Sequence, residues 1–270
     1  MSLERYQSAF IVLWALIAQG CGTQPFNYDE YVDNNGLNAY WQDGSSFRHW
    51  LVEKKGVRSN GVLRVYIGGD GTPWLLGRYV NDDPTPLNPI ALKLMKYDSQ
   101  QSLYLGRPCY HGLEAACNNS LWTSARYSRE VVDSMVSALE GYLSDRAGSE
   151  KGVELVGYSG GGALAMLLAS RVDAVTKVVT VAGNLDHFTW TKRLSYLPLH
   201  ESLNPIDQAP LVDVDAVHII GREDRNILAA TVKEFVSRKG GKYIELDGFD
   251  HSCCWETAWP SLLNEIDKVD

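Results

Sequence analysis

Residues 154–167, ELVGYSGGGALAML, hold a single serine, Ser159, between glycines in the pattern G-x-S-x-G. A serine hydroxyl is a poor nucleophile near neutral pH. It attacks a carbonyl only when a base takes its proton and a third group fixes that base. The surroundings suit this chemistry, because an apolar strand-like run precedes the serine and a helix-like run follows it. On such a strand-to-helix turn the hydroxyl is lifted above the sheet edge, and glycines flank it because side chains there would strike neighbouring backbone. The same pattern also arises as a packing turn between a strand and a helix, so Ser159 must be read by its company.

In sites of this kind the acid and then the base follow the serine along the chain, each on a loop after a later strand. Asp224 lies three residues beyond the strand-like VHIIG, and His251 follows KYIELDGFD. His187, in VAGNLDHFTW, also follows a strand and is the competing base. His49 and His218 sit inside apparent strands, His111 in a cysteine-bounded loop, and His200 after no strand end. Glu223 and Asp186 compete with Asp224 as the acid. Attack on a carbonyl also needs two backbone donors for the oxyanion. Gly160, directly after the serine, supplies one amide. The Gly-rich loop in VYIGGDGTPW supplies the other from Gly69 or Asp70, and sequence does not say which amide turns inward. Gly-Gly-Asp-Gly is also ordinary turn chemistry.

These residues require a scaffold that ends several strands at one edge. Apolar, β-branched runs at 61–69, 102–106, 152–157, 174–183, 216–221 and 242–246 predict buried strands. Helical spacing appears at 128–145 behind the capping Ser128, and at 89–97, 161–171, 227–240 and 256–269. Alternation of the two predicts an α/β fold, a mostly parallel sheet with helices on both faces. Chemistry in such a sheet sits beyond the carboxyl ends of the strands. FRHWLVEKKG and VLRVYIGG, joined by GVRSNG, predict an antiparallel hairpin at the start. The stretch 22–45, rich in Asn, Asp and Tyr, reads as irregular surface. No linker divides the chain, so residues 21–270 form one expected domain.

The order of VYIGGDGTPW, GYSGGGAL, GREDRN and DHSCCW resembles the α/β-hydrolase superfamily over residues 60–270. YLGRPC with LWTSARYSREVV, and AGNLDHFTWT with SLNP, resemble a group of bacterial α/β-hydrolase lipoproteins. The resemblance implies a serine hydrolase with Ser159 as nucleophile, Asp224 as acid and His251 as base. The GGDG loop departs from the His-Gly-Gly-Gly form of many lipases and esterases.

The chain has 270 residues and a formal net charge of −8, with no basic run, which argues against a nucleic-acid partner. Ala9–Ala18 is an uncharged apolar run behind one arginine, too short for the roughly 20 residues that span a bilayer. Residues 1–20 therefore read as a secretory signal. Ala18-Gln19-Gly20-Cys21 resembles a lipobox, implying lipidation at Cys21 and a membrane-anchored, periplasm-facing protein; ordinary signal cleavage also fits Ala18 and Gly20. Export permits disulfides. Cys109 and Cys117 bound a short Gly-containing loop that can turn back on itself, leaving Cys253 and Cys254 as a vicinal bond or two thiols. No C-x-x-C or spaced histidines suggest a metal, and no cofactor is called for.

The interval 184–213, where this fold carries its lid, is short for a helical cap. Trp190 and Tyr196 there either line an open cleft or pack on the core. An open cleft favours a small ester or acyl substrate. A serine peptidase would use the same residues, and a binding module would keep the fold without the reaction.

Overall fold

The computed structural model describes residues 25–55, 61–145 and 151–268. The signal and lipidation calls at residues 1–20 and Cys21, and most of the turn at 56–61, lie outside these. Among the described residues no helix is long and apolar enough to cross a membrane.

The β-branched runs form the centre of the sheet, as their patterning demands. Strands β1 (Asn38–Asp43), β2 (Arg48–Lys54), β3 (Val62–Ile67), β6 (Ser102–Leu105), β7 (Gly152–Tyr158), β8 (Val175–Val181), β9 (Asp215–Gly221) and β10 (Lys242–Leu246) make an eight-stranded sheet ordered β1-β2-β6-β3-β7-β8-β9-β10 among the described residues. From β6 to β10 every pairing is parallel. All seven residues of β7 are buried, as a strand covered on both faces requires. A short hairpin, β4 (Trp74–Leu75) with β5 (Tyr79–Val80), stands apart from the sheet.

Helix α1 spans Tyr28–Asn34, α2 Ile90–Lys96, α3 Arg129–Ser144, α4 Gly160–Ala169, α5 His187–Leu194, α6 Ala229–Lys239 and α7 Trp255–Ile266. Helix α3 begins where Ser128 Oγ accepts the Val131 amide, and it buries Val131, Val132, Met135, Leu139 and Tyr142 at helical spacing. Together with α4 it covers one face of the sheet, while α2 and α7 pack into a second core on the other.

Two expectations fail at the start of the chain. Residues 22–45 are not irregular throughout. Asn27 caps α1 through its side chain, Asn35 ends it, and β1 follows as the sheet edge, so the polar residues that read as loop are caps and exposed edge positions. Nor do β2 and β3 form a hairpin. Strand β6 lies between them, and β2 pairs antiparallel with β1 and β6 instead. Trp50, Leu51 and Val52 are buried in succession, which fits a strand flanked on both sides rather than one arm of a surface hairpin.

Candidate active site

Strand β7 ends by driving the chain into α4 through Ser159, which adopts φ 53° and ψ −120°. A non-glycine residue there costs on the order of 1–3 kcal/mol and persists only where surrounding bonds fix it. The Ser159 amide donates to Val181 O at 2.9 Å, and its carbonyl accepts from Gly162 at 2.9 Å and Asn184 at 3.0 Å. Glycine at 157 is required by space. A Cβ there would lie 2.2 Å from the carbonyl oxygen of Gly161, so the turn closes on itself only without one. The Ser159 side chain makes no capping bond to α4, which leaves Oγ available.

The other two predicted residues arrive from the ends of β9 and β10. Asp224 is buried, and its Oδ1 accepts the amides of Asn226 and Ile227, each at 2.8 Å. Its Oδ2 lies 2.8 Å from His251 Nδ1, and His251 Nε2 lies 3.0 Å from Ser159 Oγ. A carboxylate accepts only, so Nδ1 carries the proton and Nε2 is the acceptor for the serine hydroxyl. The His251 carbonyl accepts from Tyr158 Oη at 2.7 Å and Trp255 Nε1 at 3.1 Å, tying the histidine loop to the residue before the serine and to α7. Burial, with Asp224 and Asp250 nearby, pushes the Tyr158 hydroxyl pKa up and keeps it a donor.

The competitors are placed elsewhere. His187 is buried at the start of α5 beside Tyr127, where burial lowers its pKa, and it does not line the cleft around Ser159. Asp186 caps α5, accepting from the Thr189 amide at 3.2 Å, and Glu223 is exposed.

Gly160 and the loop of Gly69 and Asp70 meet at the serine. A Cβ on Gly69 would sit 3.2 Å from Ser159 Cβ, and one on Gly160 would sit 2.1 Å from Asp70 Oδ1. The Asp70 side chain turns into the protein. Its carboxylate accepts from Arg107 Nη1 at 2.6 Å, Arg126 Nη1 at 2.9 Å and Tyr127 Oη at 2.7 Å. Burial alone would raise its pKa, and the two arginines reverse this, holding it well below the usual carboxylate range. Sequence reasoning missed these partners. Arg107 stands in YLGRPC, and Arg126 and Tyr127 stand in LWTSARYSREVV, stretches whose local pattern carries no sign of a buried carboxylate partner.

Ser159 and His251 open into a cleft of about 1030 Å³. Its lining includes Trp74 and Leu87, and Trp190, Tyr196 and Leu197 from α5 and the loop after it. Trp190 is fixed there, its Nε1 donating to Asn226 Oδ1 at 3.1 Å and its ring meeting Tyr196 edge-on. The structure sets the sulfurs of Cys109 and Cys117 in bonding contact, and likewise those of Cys253 and Cys254, two and three residues after His251. Among the described residues no group of three or more His, Cys, Asp or Glu could hold a metal ion.

The model of the dienelactone hydrolase family matches residues 103–246, more than half of the chain. The chain belongs to the dienelactone hydrolase family. Its fold is that of the α/β-hydrolases. This family member superposes on a Pyrococcus furiosus esterase, Pf2001, with a TM-score of 0.62 at 12% identity, over 87% of this chain and 92% of that one. An α/β serine hydrolase homologue from Coxiella burnetii gives 0.57 at 12% identity, over 86% and 97%. A puromycin hydrolase gives 0.61 at 13% identity, over 84% of this chain but 37% of its own. No curated protein matches the chain in sequence. The hydrolase assignment and the parallel sheet with its antiparallel start agree with what the sequence implied.

Proposed function

We propose that this hydrolase is a serine hydrolase cleaving a carboxylic ester through an acyl-enzyme. The observation that carries the proposal is the unbroken chain from Ser159 Oγ through His251 to Asp224, at 3.0 and 2.8 Å, with Ser159 and His251 lining the cleft. His251 Nε2 takes the hydroxyl proton as Oγ attacks the ester carbon. The carbonyl oxygen becomes an oxyanion, received by the Gly160 amide and one amide of the 67–71 loop. Protonated His251 then gives its proton to the leaving alkoxide. Water, deprotonated by the same nitrogen, attacks the acyl carbon and releases the acid and Ser159. Asp224 holds Nδ1–H throughout and balances the imidazolium charge. The apolar side chains of Trp74, Trp190 and Tyr196 suit an uncharged acyl or alcohol group.

A fluorophosphonate probe is expected to label Ser159 in the native protein and to leave Ser159→Ala unlabelled, with 4-nitrophenyl butyrate hydrolysed only by the former. Folded wild-type protein that takes no label refutes the proposal. Aminoacyl amides cleaved faster than esters would replace the esterase with a peptidase.

A further inference from the structure

Loop 67–71 offers two amides to the site, and the directions of its carbonyls separate them. A trans peptide points its C=O and the next residue's N–H to opposite sides. The Gly68 carbonyl faces α4, since a Cβ on Gly161 would lie 2.6 Å from that oxygen. The Gly69 amide, in the same peptide, is therefore turned away from the start of α4, where the Gly160 amide sits. The next peptide is set the other way. The Gly69 carbonyl accepts from Arg107 Nη1 at 3.1 Å, and Arg107 is buried and does not line the cleft. The Asp70 amide therefore points away from Arg107. Among the described residues neither the Gly69 nor the Asp70 amide donates to a backbone acceptor, so direction alone separates them. The carbonyl of Asp70 is held in turn by Tyr110 Oη at 2.9 Å.

Resting on the serine-hydrolase reading, we propose that Asp70 N–H is the second oxyanion donor and that Arg107 is the positioning residue that aims it. One guanidinium nitrogen, Nη1, bonds both the Gly69 carbonyl and the Asp70 carboxylate, so the peptide between them has its plane fixed from both ends. Charge gives the arrangement a second purpose. The Asp70 carboxylate lies against the α-carbon of Gly160, and a bare negative charge there would oppose the negative charge that develops on the substrate oxygen. Arg107 and Arg126 turn the buried cluster into one net positive charge, which favours the oxyanion instead.

The test compares wild type with Arg107→Met and Arg107→Lys, measuring kcat and KM on 4-nitrophenyl butyrate and the affinity of an alkyl trifluoromethyl ketone, whose adduct with serine places an oxyanion in the hole. Misdirecting one donor is expected to lower kcat by roughly 100-fold in Arg107→Met, with KM within about twofold. Ketone affinity should fall in proportion to kcat/KM. Arg107→Lys, keeping the charge, should recover part of the loss. If Arg107→Met does not fold, Arg107→Lys decides alone: lower kcat and ketone affinity at constant KM support the clamp. A folded Arg107 variant with wild-type kcat and ketone affinity overturns it, as does a loss confined to KM. Wild-type protein that resists fluorophosphonate fails at the earlier step and overturns the serine-hydrolase reading itself; labelled wild type beside unchanged variants overturns the clamp alone.

Discussion

Gly161→Ala tests how tightly the serine turn is coupled to loop 67–71. A Cβ at 161 would lie 2.2 Å from the Ile67 carbonyl oxygen and 2.6 Å from that of Gly68, both backbone atoms at the end of β3. Real contacts of this kind do not fall under 3.0 Å, so α4 and the loop must separate by at least 0.8 Å. Neither side yields freely: β3 is paired on both edges, and Ser159 is fixed by its amide and carbonyl bonds to the end of β8 and beyond. A misplacement near 1 Å at reacting groups costs on the order of 10²-fold, and overpacking typically costs about 1–3 kcal/mol. Alanine in a helix would otherwise be favoured by about 1 kcal/mol over glycine. The expected result is therefore a kcat about 100-fold lower on 4-nitrophenyl butyrate, with a melting temperature that fails to rise and falls by a few degrees. Gly141→Ala in α3 is the control, because its Cβ meets only the flexible end of Gln42 at 3.0 Å, and it should hold activity and gain stability. Gly161→Ala with kcat within about threefold of wild type and a raised melting temperature refutes the reasoning.

Acid should destabilise the protein before any carboxylate titrates. His49 and His218 are buried in strands, and burial is the main cause holding each pKa at about 4 against the ordinary 6.5. The unfolded chain takes up these protons near 6.5 and the folded chain only near 4, so stability is whole above pH 6.5 and falls between the two values. Each histidine accounts for about 3 kcal/mol by this linkage. Urea melts at pH 7.5 and 4.5 should show a loss of several kcal/mol, and a loss under about 1.5 kcal/mol contradicts the assignment. Reduction of Cys253–Cys254 is expected to cost no more than about threefold in activity, because Tyr158 and Trp255 hold the His251 carbonyl independently of the sulfurs. Activity in mild reductant, with bond opening confirmed by mass spectrometry, checks this; a tenfold loss would show that the disulfide positions His251.

What was legible in the sequence was whatever local pattern and chain order determine. Ser159 announced itself through glycines that a sharp turn requires, and Asp224 and His251 could be preferred over Asp186 and His187 because each follows the correct strand. The structure brings these two, and not Asp186 or His187, to Ser159, so chain order separates candidates that residue type alone does not. Asp186 and His187 also follow a strand, but Asp186 uses its carboxylate to cap α5, and His187 is buried against Tyr127. The failures are non-local. GVRSNG is an adequate turn signal, yet β6, arriving from residues 102–105, takes the place beside β3 that a hairpin partner would hold. The asparagines at 27 and 35 read as loop because capping and looping draw on the same residue types.

Loop 67–71 marks the sharpest boundary between the two kinds of information. GGDG says that backbone can approach the serine closely, and Gly69 against Ser159 shows that it does. A glycine run cannot say which way its peptides face, since the freedom that lets the chain approach also lets each plane rotate. That choice is made from outside the motif, by a guanidinium at position 107 and a hydroxyl at position 110. Burying Arg107 and Arg126 is tolerable only because Asp70 pairs with both, and the charge left over is the sign a developing oxyanion needs. The ion cluster that fixes the loop therefore also sets its field. A substitution there is expected to register in kcat before it registers in substrate binding.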